Sequence, residues 1–332
     1  MNKNWANIPF KYGKLIFISL GVYFGKKIYI LYKSNADFKN ELKLDYEDVP
    51  KVKAMFSISD KKRLKENCEM SDEILNFRKI LMKNIDYKNL NLFNKNLKTL
   101  KAKQCMVFPE NFLGIPLSGG YYFHKNEIRI KYLVKDVVLN HELLHMASTY
   151  YNKNKKMVFS GFSQNNLKTG ERIGDALNEG YTELLNKRMF NVNTDPITAY
   201  KICTIIAENL EIIVGKKDME KFYFNADLNS LIKTLEKYDE RKNIIDFLSS
   251  IDYILNYYEY AYGNIFKKVP KVKNLVDTQM EKVKLYLKKW YITKNINNYV
   301  NDGFCESIDN CELLKEKDYF KEKKEFFKSL LD

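Results

Sequence analysis

Hydrophobic residues recur every three or four positions along most of the chain beyond Pro196. This spacing places them on one face of an α-helix, so each run predicts an amphipathic helix. The clearest runs are Ile202, Ile205, Ile206, Leu210 and Ile213; Leu228, Leu231, Ile232 and Leu235; Ile244, Leu248, Ile251 and Leu255; and Val276, Met280, Val283, Leu287 and Trp290. Because only Pro270 interrupts this stretch, residues 191–332 are predicted to form an all-helical C-terminal subdomain.

The preceding part of the chain mixes helical and strand-like patterns. Helical spacing occurs in two runs, one after Ser71 and one that ends near Leu100. Residues 105–109 then predict a short strand. Residues 120–132 predict a β-hairpin that turns at Lys125-Asn126, because apolar and polar positions alternate beyond this polar pair.

Two more helices are predicted on either side of residues 156–170, which have the composition of a loop or small hairpin. The first helix runs from about Leu133 to Tyr151 and contains the sequence NHELLHM. The second runs from about Glu171 to Phe190 and contains LNEGYTE. The predicted fold class is therefore α+β and helix-rich, with an α+β subdomain over residues 36–190 before the helical subdomain.

The positive charge of the chain raises the question of a nucleic-acid partner. The formal net charge is +14, but only six of the 56 basic residues are Arg. Nucleic-acid sites favour arginine for bidentate contacts to phosphates and bases, and the chain contains no recognisable nucleic-acid-binding motif. We therefore expect no specific nucleic-acid partner.

Residues 1–35 form a hydrophobic and basic N-terminal segment. Residues 15–32 are mostly apolar, but Lys26 and Lys27 near their middle would be costly inside a bilayer. Two interpretations stay open, a membrane anchor and a buried helix or hairpin. The five cysteines are odd in number and mostly far apart, which favours a reducing compartment. A cytoplasmic location is favoured, with N-terminal membrane anchoring as the alternative.

The sequence NHELLHM uses two of the only three histidines in the chain. His141 and His145 are four positions apart and lie on the same face of a helix, so both imidazoles can reach one metal ion. Glu142 lies at the flank of that face, where its carboxylate suits a general base acting on a water molecule. The alternative is a core helix with two hydrogen-bonded histidines.

A catalytic zinc site needs a third protein ligand, and the shortage of histidine restricts its type. No histidine follows His145, so a carboxylate must serve. The predicted helix after residue 170 offers four acidic residues, Glu171, Asp175, Glu179 and Glu183. Glu179 and Glu183 share one face of that helix.

HELLH followed by LNEGYTE resembles the gluzincin pattern of thermolysin-like zinc metallopeptidases. The resemblance covers about fifty residues, from Val138 to Leu185. It implies one zinc ion held by His141, His145 and Glu179, with Glu142 as the general base. It also implies that Asn178 and Glu183 support the ligands, with Glu183 orienting His141. The sequence departs from thermolysin at Glu183, where the usual residue is Asp.

The same resemblance implies a zincin-like catalytic subdomain with a small antiparallel sheet, and a peptide or protein substrate. A substrate strand is expected to pair with a sheet edge, for which EIRIKY (127–132) is the candidate. Gluzincins also use a Tyr or His to stabilise the oxyanion; a Tyr is expected here, but 24 tyrosines prevent a choice. His124 is interpreted as a solvated turn residue. The alternative function is a non-enzymatic or regulatory metal-binding protein with a helical interaction domain.

Overall fold

A computed structural model describes residues 49–105, 119–131, 135–191, 198–262 and 270–294, together with the single residue Tyr29. Of these, 65% are helical and 14% are in strands. The predicted helix-rich α+β class is therefore confirmed. Residues 15–32, for which a membrane anchor and a buried helix or hairpin were both left open, lie outside the described residues apart from Tyr29. None of the described helices combines the length and hydrophobicity needed to span a bilayer.

The first described elements are three helices and a three-stranded sheet. They are α1 (Ile58–Asn67), α2 (Ser71–Asn84), a 3₁₀ turn (Tyr87–Asn89), α3 (Asn91–Leu97), β1 (Lys101–Cys105), β2 (Gly119–Tyr122) and β3 (Glu127–Lys131). The hairpin predicted over residues 120–132 is confirmed as β2 and β3. Asn126 adopts a left-handed conformation at φ 47° in its turn, as asparagine tolerates well. Of the strand predicted at residues 105–109, only Cys105 is among the described residues, and it ends the strand β1; residues 106–118 lie outside the described chain.

The order of strands in this sheet corrects two expectations. The order is β1-β3-β2, with β3 antiparallel to β2 but parallel to β1. The sheet is therefore mixed and not antiparallel as expected. The EIRIK strand is its central strand, because both of its edges are hydrogen-bonded to neighbours. Within the described residues, β2 pairs on one side only and so forms an edge.

The HELLH helix, α4 (Lys135–Ala147), follows this sheet and leads into a second one. Its predicted end at Tyr151 is wrong. The hydroxyl groups of Ser148 and Thr149 donate to carbonyls of the last helical turn, and the chain then becomes strand β4. The second sheet is antiparallel, in the order β4 (Thr149–Asn152), β5 (Met157–Ser160), β6 (Ser163–Asn166) and β7 (Arg172–Ile173). Residues 156–170 thus contain a hairpin, which was one of the two predicted outcomes.

All described elements beyond β7 are helices. They are α5 (Asp175–Phe190), α6 (Thr198–Val214), α7 (Lys216–Phe224), α8 (Leu228–Leu235), α9 (Arg241–Tyr262) and α10 (Pro270–Thr293). The four hydrophobic runs that predicted helices beyond Pro196 lie on α6, α8, α9 and α10. Helix α5 starts four residues later than predicted, because Arg172 and Ile173 pair with β6 and Gly174 turns the chain at φ 80°.

Helix α5 lies at the centre of one large hydrophobic core that extends from Leu64 to Tyr291. It packs against α4 on one side and against α6 and α9 on others. Gly180 allows the close approach of α6: a Cβ atom at this position would lie 2.2 Å from the carbonyl oxygen of Cys203. This packing brings residues from the helical C-terminal part close to the LNEGYTE segment.

Candidate metal centre

Helices α4 and α5 bring together the two histidines of HELLH and one carboxylate of LNEGYTE. Nε2 of His141 lies 3.3 Å from Oε2 of Glu179, and Nε2 of His145 lies 3.4 Å from the same oxygen. The two Nε2 atoms are 2.8 Å apart. Among the described residues, this is the only group of His, Cys, Asp and Glu side chains that could hold a metal ion.

Two of the three distances between these atoms match those of a tetrahedral metal site. An ion about 2.0–2.1 Å from each ligand in tetrahedral geometry separates the ligand atoms by about 3.3–3.4 Å. Both distances from histidine nitrogen to Glu179 match this value, whereas the two nitrogens are closer together. Two imidazoles and one carboxylate are also a donor set that suits zinc.

Glu183 and Asn178 on α5 lie close to the Nδ1 atoms of the two histidines, on the ring edges opposite the Nε2 atoms. Oε1 of Glu183 lies 2.7 Å from Nδ1 of His141, as the resemblance implies. The side-chain amide nitrogen of Asn178 lies 3.3 Å from Nδ1 of His145, while the amide oxygen of Asn178 accepts from the backbone N–H of Phe162. A carboxylate that accepts from Nδ1–H fixes the orientation of an imidazole ring and leaves Nε2 free for a metal ion, so Glu183 suits this role toward His141.

Charge within the cluster shifts the pKa values of its members. Burial opposes the charged form of His141, but the carboxylates of Glu179 and Glu183 outweigh it and raise the pKa of His141 well above its ordinary value. Burial alone would raise the pKa of Glu179, yet the nearby His145 and His141 lower it strongly. Glu179 is therefore a carboxylate, the form that binds a cation.

Glu142 lies next to the cluster but makes no part of the ligand group. It is buried, and its carboxylate accepts a hydrogen bond from the backbone of Tyr121 on strand β2. Burial raises the pKa of Glu142 above its ordinary value, and the two histidines partly offset this effect. A carboxylate with a raised pKa is better suited to accept and return a proton at neutral pH.

An open cleft of about 450 Å³ gives solvent access to these residues. Its size is in the range of sites for small molecules or short peptide segments. Its walls come from β2, the second sheet and helices α4, α5, α6 and α9. The lining residues are Tyr121, Phe123, His141, Glu142, His145, Thr149, Val158, Ser160, Ser163, Arg172, Asp175, Asn178, Glu179, Tyr200, Leu255 and Asn256.

Tyr200 on α6 is a site residue that the sequence did not identify. Its ring stacks against the ring of His141, with centroids 6.5 Å apart and an interplanar angle of 15°. The negative charge of Glu179, together with burial, raises the pKa of Tyr200 well above its usual value, so its hydroxyl stays protonated. No local pattern distinguishes Tyr200 from the other tyrosines, because only the packing of α6 on α5 brings it to the cleft.

The start of helix α5 is held by a residue from α9. Gly174, at the N-cap position, has no side chain to cap the helix. Asp252 takes its place and accepts hydrogen bonds from the backbone N–H groups of Gly174 and Ala176, both at 2.7 Å. Capping of exposed N–H groups stabilises the first turn of a helix. Burial and the nearby Asp175 raise the pKa of Asp252 to about 8.

The remaining acidic candidates lie outside the metal-binding group. Glu171 accepts a hydrogen bond from the hydroxyl of Thr169, and Asp175 accepts one from Ser163 at 2.5 Å. Asp175 lines the cleft, but neither residue belongs to the cluster with the histidines. His124 is exposed at the β2–β3 turn and contacts the rings of Phe123 and Tyr151.

Comparison with known proteins gives no match, either among protein-family models, among curated proteins or among solved structures.

Proposed function

We propose that this protein is a zinc-dependent metallopeptidase of the gluzincin type. One observation carries the proposal: His141 and His145 from α4 and Glu179 from α5 converge on one point of an open cleft, with Glu142 beside them. The two sequence motifs are far apart in the chain, and an accidental pair of histidines on a core helix would not require a carboxylate from another helix at the same point.

The composition of the cluster supports a catalytic zinc over a structural one. A structural zinc site is closed by four protein ligands, whereas a catalytic site keeps a position open for water or substrate. Among the described residues, no fourth His, Cys, Asp or Glu joins the group, and the cluster borders a cleft. A regulatory protein with a closed metal site, the alternative function, is therefore less well supported.

Each residue near the cluster has a role in this proposal. Zinc bound by the three ligands would make water nucleophilic near neutral pH and polarise the peptide carbonyl. Glu142 accepts the proton of the attacking water and passes it to the leaving amine. The Tyr200 hydroxyl is the candidate donor to the oxyanion that develops on the carbonyl oxygen. Glu183 holds His141 in its metal-binding orientation, and Asn178 contacts the ring of His145.

The arrangement around α4 also suits a zincin-like subdomain. Among the described strands, β2 lies at the edge of its sheet, and its backbone contacts Glu142 through Tyr121. An extended peptide that pairs with the open edge of β2 would place its backbone alongside the catalytic carboxylate, with main-chain hydrogen bonds keeping it in register. Peptides and unfolded protein segments are accordingly the proposed substrates.

Hydrolysis of a peptide mixture by the zinc-loaded protein tests this function. We expect new cleavage products, detected by mass spectrometry, from the wild-type protein. The Glu142→Gln variant should keep its zinc and lose hydrolysis by about 10²–10⁴-fold, because a positioned general base contributes a factor of that size. Glu171→Gln is the matched control and should cleave as wild type does.

Two results would contradict the proposal. A wild-type protein that holds zinc and cleaves none of the peptides would favour the regulatory alternative. Peptide cleavage that is unchanged in Glu142→Gln would show that the activity does not come from this site.

A further inference from the structure

The cleft has one fixed positive side chain near the candidate metal centre. Among the cleft-lining residues that the structure describes, Arg172 is the only lysine or arginine. It lies on β7, immediately before the helix that carries Glu179, and half of its side chain is exposed. Asp175 and Asn256, the cleft-lining residues that contact Arg172, are both polar.

The Arg172 guanidinium is held in place from two sides. Its Nε atom lies 3.4 Å from Oδ2 of Asp175, and its Nη2 donates a hydrogen bond of 3.2 Å to Oδ1 of Asn256. The amide nitrogen of Asn256 in turn donates to the backbone oxygen of Asp252 at 2.8 Å, which orients Oδ1 toward the arginine. A guanidinium that is already positioned loses less conformational freedom when a ligand binds.

The contacts with Asp175 and Asn256 leave hydrogen-bond donors of the Arg172 guanidinium available for a ligand. A guanidinium carries five N–H donors in one plane, and Asp175 and Asn256 are its only polar partners among the described residues. Asp175 is a weak counter-ion, because the Arg172–Asp175 pair is partly exposed to solvent. Carboxylates and phosphates match the planar donor fork of arginine, and of these two groups an unmodified peptide carries carboxylates.

We propose that Arg172 forms a subsite for a carboxylate of the peptide substrate. This inference rests on the proposed peptidase function and adds a substrate class to it, namely peptides with a negative group near the cleavage site. Asp175 is one helical turn before Glu179, a spacing of roughly 5–6 Å. Because an extended peptide advances about 3.3 Å per residue, the carboxylate lies within about three residues of the scissile bond.

Two sources of the carboxylate are distinguished by matched peptides. The first pair has one neutral sequence with either a free C-terminal carboxylate or a C-terminal amide. In the second pair both peptides have a C-terminal amide, and one carries Glu where the other carries Gln at a single internal position. Several such pairs are made, each with the Glu or Gln at a different position. We expect kcat/KM to be about 10–100-fold higher for the anionic member of one pair, the range of a charge-assisted hydrogen bond.

Arg172→Gln should remove this preference, so that its kcat/KM values for the anionic and neutral members of the pair differ by less than about threefold. Arg172→Glu should reverse it, so that the anionic member of the pair becomes the poorer substrate. Lys168→Gln is the matched control: it removes the same charge from an exposed lysine outside the cleft, and should keep the wild-type preference. A wild-type enzyme that prefers neither anionic peptide, or a preference that survives in Arg172→Gln, would overturn the proposal.

Binding measurements separate failure of this subsite from failure of the peptidase function. The dissociation constants of the same peptides are measured by calorimetry with zinc-loaded Glu142→Gln and with the double variant Glu142→Gln/Arg172→Gln. We expect the anionic peptide to bind more tightly only when Arg172 is present. If no peptide is cleaved but the anionic peptide still binds more tightly when Arg172 is present, the subsite is supported and the hydrolytic function is wrong. If peptides are cleaved but this difference in affinity is absent, the subsite alone is wrong.

Discussion

The ligand residues of the candidate centre were largely visible in the sequence. Histidine is so scarce that HELLH left few alternatives, and the resemblance to gluzincins selected Glu179 from four acidic residues. The structure places Glu179 within 3.3 and 3.4 Å of the two Nε2 atoms. Tyr200 and Arg172 could not be found in the same way, because their positions in the cleft depend on packing between distant parts of the chain.

Replacement of Glu179 tests the third ligand directly. We expect Glu179→Ala to weaken zinc binding by more than about 100-fold, since even residues that only support a ligand contribute 10–100-fold. Glu171→Ala is the control: it also removes one carboxylate, from a position shortly before α5, and the zinc affinity of this variant should stay close to that of wild type. The dissociation constants are measured by competition with a chelator, and equal losses in both variants would reject Glu179 as a ligand.

Regular elements with strong local patterns were predicted well. The hydrophobic runs in α6, α8, α9 and α10 and the turn at Lys125-Asn126 depend on neighbours in sequence. The parallel pairing of β1 with β3 was missed, because it joins strands about 25 residues apart and leaves no local signal. The end of α4 was misplaced because β4 pairs with β5, and this pairing overrides the helical pattern beyond Ala147.

Gly180 lies inside α5 and controls how closely α5 and α6 pack. In an isolated helix Gly180→Ala would be stabilising by about 1 kcal/mol. Here the added Cβ would lie 2.2 Å from the Cys203 oxygen and 2.9 Å from the Thr204 nitrogen, both backbone atoms that cannot rotate away. We therefore expect a net loss of about 1–3 kcal/mol in the free energy of unfolding, measured by denaturant titration.

A glycine with room for a methyl group provides the comparison. At Gly120 on β2 a Cβ would make only ordinary contacts, the nearest at 3.6 Å from the Tyr122 side chain. Gly120→Ala should change the free energy of unfolding by less than about 0.5 kcal/mol. If Gly180→Ala is as stable as wild type, the close packing of α5 on α6 is wrong, and with it the position of Tyr200.

The cleft is lined by residues from both sides of the HELLH and LNEGYTE helices and from the helical C-terminal part of the chain. Tyr200 on α6 and Asn256 on α9 line it together with residues of α4 and α5. Asp252 on α9 also caps the helix that supplies Glu179. Residues from the helical part are therefore needed to build the site. Local sequence patterns could therefore predict the metal-binding residues on α4 and α5, but not the cleft-lining residues that distant helices contribute.

X-ray absorption at the zinc edge tests the central claim most directly, that helices α4 and α5 together hold a catalytic zinc ion. For purified protein with one zinc per chain, we predict only nitrogen and oxygen ligands at about 2.0–2.1 Å, with the outer-shell scattering of two imidazoles. The absence of bound zinc would contradict the account. Sulfur ligands at about 2.3 Å would contradict it equally, because they would place the metal at cysteines and not at His141, His145 and Glu179.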